Sequence, residues 1–429
     1  MLSFEPNIIF IDDKKEEVID LVDLYRQEGI GCKFYNADIS IGDHKPVQPY
    51  SDVNLIFLDL YYKKEFDVEL CTGWIESLIP VNSFYVLVIW SKDTQHRSEV
   101  EEDLINLNRK PYIIFEFQKG EGYKNPDNTW DFVKLYCDIE DKVRESYALE
   151  ELGLWKKSIT NSSNTIIGHL AKDLLTSDLL TKKLQKIVIG HGGTIYISPD
   201  NQEQKREVLF DALDNILISN SKISRIMKNI SKHNSENLYN INAGIESDID
   251  TKLNSWFHFK LHKDPIDQEK IQIGLISKFN NKFLKNTYSL LNDSIVTSYL
   301  SHQIDAKKML TEVVLLISRP CDIAQKKYGK NFKLISGVII KNPIRKENPK
   351  KEIRTGQKVD SIKLYDHLSF SDEDNDNALI FDFRYVFSVP EDTFFKKFIN
   401  MKIFNKELLS EMQVEYSAYS SRLGITQII

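Results

Sequence analysis

Polar residues suited to phosphoryl chemistry follow four apolar segments in the first 120 residues. Asp12 and Asp13 follow the run NIIFI, Asp59 lies within LIFLDL, Ser91 ends VLVIWS, and Lys119 follows PYIIFEF. If these segments are parallel strands of one sheet, their carboxyl ends meet at one edge, where such sheets bind ligands. Three carboxylates, one hydroxyl and one ammonium group would then converge on the same rim.

These residue types point to a particular chemistry. Crowded carboxylates repel one another, and a hard divalent cation that prefers oxygen ligands relieves the repulsion. We therefore expect Mg²⁺ held by carboxylates and water. A carboxylate beside such a cation can attack a phosphoryl donor and become an aspartyl phosphate. A nearby hydroxyl and ammonium group can hold the phosphoryl oxygens.

The chain around these residues alternates between strand-like and helix-like patterns. Glu16–Glu28 is amphipathic and ends at Gly29, and Leu70–Leu78 and Glu99–Asn108 are helical spacers. Short apolar runs separated by helices are typical of a parallel sheet that is covered on both faces. We therefore predict an α/β domain with a doubly wound, five-stranded parallel sheet. The predicted strands are Asn7–Ile11, Cys32–Tyr35, Val53–Leu60, Phe84–Trp90 and Pro111–Phe117.

The order of these strands and strand-end residues resembles the receiver domain of two-component response regulators. The resemblance rests on IIFIDD, LIFLDL, VLVIWS and the lysine after the fifth strand, and it covers under a third of the chain. It implies that Asp12, Asp13 and Asp59 bind Mg²⁺. It further implies that Asp59 accepts a phosphoryl group, that Ser91 moves to meet this group, and that Lys119 pairs with it.

The chain departs from the receiver pattern in three ways. Tyr61 and Tyr62 replace the Met-Pro pair that follows the acceptor, and a glycine replaces the proline that follows the lysine. Lys119 also lies farther from the strand-end serine than is usual in this family. Lys92 and Lys110 are therefore alternative partners for the phosphoryl group.

The pattern changes after the first 150 residues. Trp155–Ile189 and Glu203–Lys232 carry apolar residues at helical spacing, and Gly190–Pro199 between them predicts a glycine turn and a short strand. Beyond residue 240 the chain is rich in β-type runs, and Lys406–Leu423 is again helical. The predicted C-terminal strands are Ile271–Ser277, Val313–Ser318, Phe332–Ile340 and Ala378–Phe387.

Charge divides the chain at about the same place. Residues 1–150 hold 30 acidic and 16 basic side chains, a balance of -14, whereas residues 151–429 hold 33 and 40, a balance of +7. The net charge of -7 is therefore a cancellation between two different parts. We predict three domains, which are a receiver-like domain over residues 1–148, a helical connector over 149–240, and a β-rich α+β domain over 241–429.

Composition narrows the class of protein. Hydrophobic residues form 41% and charged residues 28% of the chain, which excludes wholesale disorder. The four cysteines lie far apart and form no Cys/His cluster with zinc-ligand spacing, which favours a reducing compartment. The sequence shows no signal-peptide pattern and no run of about 18 apolar residues. We expect a cytoplasmic protein without membrane partners.

The segment Val313–Gly329 is the most distinctive part of the second half. Its apolar strand runs into Ser-Arg-Pro-Cys-Asp, and this run and Tyr416–Ile425 are similar to a poorly characterised group of bacterial proteins encoded near genome-defence and mobile-element genes. The similarity implies no particular chemistry. Cys321 is a candidate nucleophile, but no histidine lies near it in sequence, and an inert, partly buried cysteine is the competing interpretation.

One principal hypothesis and two alternatives follow. In the first, a sensor histidine kinase or another operon-encoded partner phosphorylates Asp59, and the C-terminal domain is the output module, in a bacterial defence setting. The protein would then be a phospho-acceptor in signal transduction rather than a metabolic enzyme. The alternatives are a non-catalytic interaction scaffold with a vestigial receiver domain, and a receiver-controlled DNA-binding regulator. Homodimer formation and nucleic-acid binding are left open.

Overall fold

The chain forms two compact units, each described here by itself. Unit 1 consists of Met1–Ser158 and Ile226–Asn240, and unit 2 consists of Ile159–Arg225 and Ile241–Ile429. The predicted three-domain division at residues 148 and 240 stays a prediction. The computed structural model describes residues 5–38, 40–62, 65–172, 177–193, 197, 202–223, 230, 232–241, 249–261, 266–279, 283–290, 299, 310–318, 323, 329–343, 361–370 and 376–421.

Unit 1 is built on a parallel sheet. Its strands are β1 (Ile8–Asp12), β2 (Cys32–Asn36), β3 (Leu55–Leu58), β4 (Tyr61–Tyr62), β5 (Glu65–Phe66), β6 (Val86–Ser91) and β7 (Ile113–Gln118). The five longer strands pair in the order β2-β1-β3-β6-β7, all parallel, and β4 and β5 form a separate hairpin. The order reverses between β1 and β3, and such a switch point is where open α/β sheets bind ligands.

Helices cover both faces of this sheet. They are α1 (Ile19–Gln27), α2 (Val68–Leu78), α3 (Arg97–Asn106) and α4 (Phe132–Glu145), and short 3₁₀ turns span Lys15–Glu17 and Glu121–Tyr123. The next helix, α5 (Tyr147–Ala171), begins in unit 1, and its residues up to Ser158 belong to this unit. One apolar cluster joins the sheet to α1 and α4, and a second joins the other face to α2 and α3. Every residue of β1 and β6 is buried. The predicted doubly wound α/β sheet is confirmed, with strand ends within two residues of the predicted ones.

Helices also dominate the segment that follows. They are α6 (Ser177–Gly192), α7 (Gln202–Ile223), α8 (Lys232–Asn237) and α9 (Thr251–His258). The glycine turn predicted to begin at Gly190 is wrong, because α6 continues to Gly192. The chain turns at Gly193, whose φ of 95° suits glycine at a helix end. Most of the predicted strand before Pro199 lies outside the described residues.

Unit 2 contains a six-stranded antiparallel sheet in the order β11-β12-β10-β9-β8-β13. Its strands are β8 (Leu275–Phe279), β9 (Leu310–Leu316), β10 (Asn331–Lys341), β11 (Ile362–Leu368), β12 (Asn377–Pro390) and β13 (Phe398–Ile403). The helices with it are α10 (Phe283–Tyr288), α11 (Glu391–Lys397) and α12 (Lys406–Ser420). Apolar clusters bury both faces of the sheet. The predicted β-rich C-terminal region is therefore confirmed, with two strands, β11 and β13, that the sequence did not predict.

None of the helices in the described part of the chain is long and apolar enough to cross a bilayer.

Candidate functional site

Asp12 is the last residue of β1 and is fully buried. One oxygen of its carboxylate accepts a hydrogen bond from the main-chain N–H of Lys14 at 2.8 Å, and the other lies 2.7 Å from Nζ of Lys119. Burial raises the pKa of Asp12 to about 7, because Lys119 offsets only part of the cost of desolvation and Asp59 adds repulsion. The aspartate is therefore a buried acid with incomplete charge compensation.

Asp59 directly follows β3, the neighbour of β1, and only 5% of its surface is exposed. Its main-chain N–H donates to the carbonyl of Ile11 at 2.9 Å, which extends the strand pairing to the site. Its Oδ1 accepts the hydroxyl of Ser91 at 2.6 Å, and its Oδ2 lies 2.9 Å from Nζ of Lys119. Both oxygens of the predicted acceptor are thus engaged inside the protein.

Ser91 is the last residue of β6 and is fully buried. Its Oγ donates to Asp59 and accepts the main-chain N–H of Leu60 at 3.3 Å. This hydroxyl therefore contacts both the Asp59 carboxylate and the main chain of the next residue. It links the end of β6 directly to Asp59.

Lys119 follows β7 and lies at the centre of the cluster. Its Nζ lies 2.7 Å from Asp12 Oδ2, 2.7 Å from Glu17 Oε2 and 2.9 Å from Asp59 Oδ2, and only 1% of its side chain is exposed. An ammonium group has three N–H donors, and here each has its own carboxylate. Burial lowers the pKa of Lys119, but Asp12 and Asp59 outweigh it, so the net shift is upward. Lys119 therefore stays charged.

Glu17 is the residue of this site that the sequence analysis missed. It ends the Lys15–Glu17 turn, and its Oε1 lies 2.9 Å from Nζ of Lys14 while its Oε2 contacts Lys119. Burial raises the pKa of Glu17, but its contacts with the two lysines are stronger and hold it below its usual value. A helix that follows a parallel strand begins at the ligand-binding edge of the sheet, and this rule identifies acids in the first turn as candidates.

The receiver resemblance also implies a role for Asp13, the residue that follows β1. It is half-buried and directly follows Asp12. Among the described residues, the acids at this rim whose oxygens lie within 4.8 Å of one another are Asp12, Glu17 and Asp59. Glu17 therefore occupies the third position of the cluster, and the role of Asp13 as a Mg²⁺ ligand stays a prediction.

Two lysines were alternatives to Lys119. Lys92 and Lys110 are both exposed, and Lys110 borders an open surface pocket near Tyr112. Lys119, by contrast, touches the acceptor aspartate directly. The geometry favours Lys119 over the other two.

The cluster has the ligand types that a hard cation requires. Mg²⁺ binds proteins through one or two carboxylates, with water and substrate phosphates in the remaining positions, and three carboxylates are available here. The donor set therefore fits Mg²⁺. The ammonium group of Lys119 already contacts all three carboxylates. It would therefore compete with a metal ion for the same oxygens.

A second group of metal-ligand types lies in unit 2. Asp366, His367 and Asp376 have ligand atoms within 4.8 Å of one another, and Nδ1 of His367 lies 3.3 Å from a carboxylate oxygen of Asp376. The carbonyls of Asp366 and His367 accept hydrogen bonds from the Asn254 side chain at 2.9 Å, and His367 has a φ of 56°. These contacts account for the group as part of the irregularity in β11, where the register shifts between Tyr365 and Leu368, together with the residue that precedes β12.

The role of Cys321 as a nucleophile stays a prediction. Cys321 and Asp322 lie outside the described residues. Of the described cysteines, Cys71 is buried, and burial raises the pKa of its thiol to about 12. Cys71 is therefore an unreactive core residue.

Comparison of the sequence with models of known protein families finds no match, and comparison with curated proteins finds no relative. The function is therefore inferred from the residues of the site.

Proposed function

We propose that unit 1 is a receiver-like signalling module in which Asp59 accepts a phosphoryl group and so controls the rest of the chain. The observation that carries this proposal is the meeting of Asp12, Asp59, Ser91 and Lys119 at the switch point of a parallel sheet. These side chains come from four different strand ends, and each has a part in phosphoryl transfer.

The proposed reaction is a simple displacement at phosphorus. A carboxylate oxygen of Asp59 attacks the phosphorus atom of a phosphohistidine on a partner kinase. An O–P bond forms, the P–N bond breaks, and the imidazole leaves with the bonding electron pair and takes up a proton. A small acyl phosphate can replace the kinase as donor, with the carboxylate of that donor as the leaving group.

The other side chains act on the charge that is transferred. Ser91, which now donates to Asp59, would donate to a phosphoryl oxygen, and the Lys119 ammonium would pair with another. Mg²⁺, held by Asp12, Asp59 and a third carboxylate from Asp13 or Glu17, would supply further positive charge for the phosphoryl oxygens. Movement of Ser91 and Lys119 would pass the event to the ends of β6 and β7.

Phosphorylation is tested on the full chain with acetyl phosphate and Mg²⁺, followed by intact-mass measurement. We expect a mass gain of one phosphoryl group in the wild type and no gain in Asp59→Asn. Asp141→Asn is the matched control, because that aspartate is 70% exposed on α4, and it should be phosphorylated like the wild type. No gain in the wild type, or an equal gain in Asp59→Asn, refutes the proposal.

The burial of Asp59 favours a second candidate function. Asp59 is 5% exposed and both oxygens of its carboxylate are bonded, as expected for a closed module that docks a partner without accepting phosphate. In that case Asp59→Asn leaves partner recruitment in cells unchanged. A loss of recruitment in Asp59→Asn, with folding intact by circular dichroism, would count against the docking module.

The C-terminal sheet of unit 2 would serve as the output or partner-binding part. Its β-rich architecture is separate from the phosphoryl chemistry of unit 1, and the two apolar clusters of this sheet give it a core of its own. That a partner kinase acts on unit 1, and that unit 2 acts on a target, are both parts of this proposal.

A further inference from the structure

The acidic site of unit 1 already contains a cation, which is the ammonium group of Lys119. The three carboxylates of Asp12, Glu17 and Asp59 each place one oxygen within 2.9 Å of Nζ. Since the Lys119 side chain is almost wholly buried, water screens these contacts weakly. The ammonium group therefore has the position and the contacts of a bound ion.

The side chains of Trp90 and Lys14 hold Glu17 in this site. The Trp90 indole N–H donates to the main-chain carbonyl of Glu17 at 3.3 Å, and Trp90 is buried at the end of β6. The Lys14 ammonium group holds the outer oxygen of the Glu17 carboxylate, so the inner oxygen faces Lys119. Two contacts independent of Lys119 thus hold Glu17 at the rim.

We propose that Lys119 is a tethered cation that closes the acidic site, and that Glu17, rather than Asp13, joins Asp12 and Asp59 in holding whichever cation occupies it. This inference rests on the proposed function, because it assigns the metal ligands and the regulation of the same site. Lys119 and a divalent metal are then alternatives, and the site opens only when the lysine side chain leaves.

The distances explain why the two cations exclude each other. Mg²⁺ binds oxygen ligands at about 2.0–2.1 Å, whereas Nζ lies 2.7–2.9 Å from the same three oxygens. A metal bound to these oxygens would be in contact with the ammonium group, and two like charges so close in a buried site repel strongly. The flexible four-carbon stem of lysine allows the ammonium group to withdraw.

The net charge gives the exchange a direction. Three carboxylates and one ammonium group leave the inner cluster negative, and replacing the single charge of Lys119 by a divalent cation compensates more of it. The released ammonium group is then free to pair with a phosphoryl group on Asp59. Metal binding would therefore prepare Lys119 for its second role.

The test measures Mg²⁺ binding to the full chain by isothermal titration calorimetry, with no phosphodonor present. Lys119→Met keeps a long side chain but removes the charge, and we expect it to bind Mg²⁺ at least tenfold more tightly than the wild type. In this background, Glu17→Gln should weaken binding at least tenfold, and Asp13→Asn should change it less than threefold.

Three results would overturn the inference. They are equal affinity in the wild type and Lys119→Met, loss of binding in Asp13→Asn but not in Glu17→Gln, and no binding in any variant. If Lys119→Met does not fold without metal, its folding is followed by circular dichroism during a Mg²⁺ titration. Failure of Mg²⁺ to restore the fold would also overturn the inference.

The outcomes separate this inference from the proposed function. If Asp59 is phosphorylated but Glu17→Gln does not change Mg²⁺ binding, only the assignment of Glu17 as a ligand is refuted. If the variants bind Mg²⁺ as expected but Asp59 is not phosphorylated, the closed cation site stands and the phospho-acceptor role is refuted.

Discussion

Asp12 shows how strongly a single residue depends on its surroundings in this molecule. It lies inside the sheet edge, with Lys119 as its charged partner and Asp59 as a repelling neighbour. The folded protein therefore binds a proton at Asp12 over a pH range in which the unfolded chain has already lost it.

The pH dependence of stability follows from this raised pKa. The folded-state value is about 7 against an ordinary 3.8, so the folded state holds more protons than the unfolded state between these values. The free energy of unfolding should therefore decrease as pH rises from about 4 to 7, by up to about 1.4 kcal/mol per pH unit. Asp12→Asn should lack this decrease. Denaturant unfolding of both proteins across this range, in EDTA, is the measurement, and parallel curves would contradict the assignment.

The sequence predicted most of this site but not Glu17. Asp12, Asp59, Ser91 and Lys119 were found because each follows an apolar run, and parallel strands bring such positions together. Glu17 was missed because it was assigned to the amphipathic helix, whereas it ends a separate turn before α1. The contact between Lys119 and Asp12 spans 107 residues, and no local pattern encodes a contact of that kind.

At the scale of elements, the pairing of β10 with β12 depends on one close approach. The register shifts between Ile335 and Gly337, and a Cβ atom added to Gly337 would lie 2.4 Å from the carbonyl of Ile380. Only a residue without a side chain fits there, because the opposing atom is main chain.

Gly337→Ala should destabilise unit 2 by about 1–3 kcal/mol, since the added methyl group forces the two strands apart. The measurement is denaturant unfolding, with hydrogen exchange in β10 and β12 to locate the change. Gly153→Ala is the control, because nothing lies within 4 Å of its added atom and it is exposed on α5. That variant should be neutral or slightly stabilised. An equal effect of both substitutions would exclude the close approach as the cause.

Elements with a continuous apolar run could be predicted, and those without one could not. β9, β10 and β12 were found because their buried residues run on for several positions. β11 and β13 mix exposed or half-buried positions with buried ones, so their sequences resemble loops. The order of the six strands comes from pairing between distant segments, which a single sequence does not display.

At the scale of the whole molecule, unit 1 is not one continuous segment. The chain leaves it at Ser158 and returns for Ile226–Asn240, where α8 lies. Asn234 on α8 is fully buried, and its side-chain amide donates to the carboxylates of Glu150 and Glu151 at 2.9 and 3.0 Å. This contact holds the returning segment to α5.

Asn234→Ala should loosen the returning segment. Removing the amide leaves two carboxylates without its N–H groups, which costs about 1–3 kcal/mol locally. Hydrogen–deuterium exchange of residues 232–240 should become faster by an order of magnitude or more. Ser235→Ala on the same helix is exposed and should exchange like the wild type. Unchanged exchange in Asn234→Ala would show that other contacts hold α8.

The long sequence separation between Lys119 and Asp12 determines when the site can form during protein synthesis. Asp12 lies on the first strand of unit 1 and Lys119 follows the last, so the cluster closes across nearly the whole sheet. A nascent chain that has not yet exposed residue 119 has the carboxylates but lacks their counter-charge. The site is therefore assembled last, and a chain that carries it has already completed its sheet.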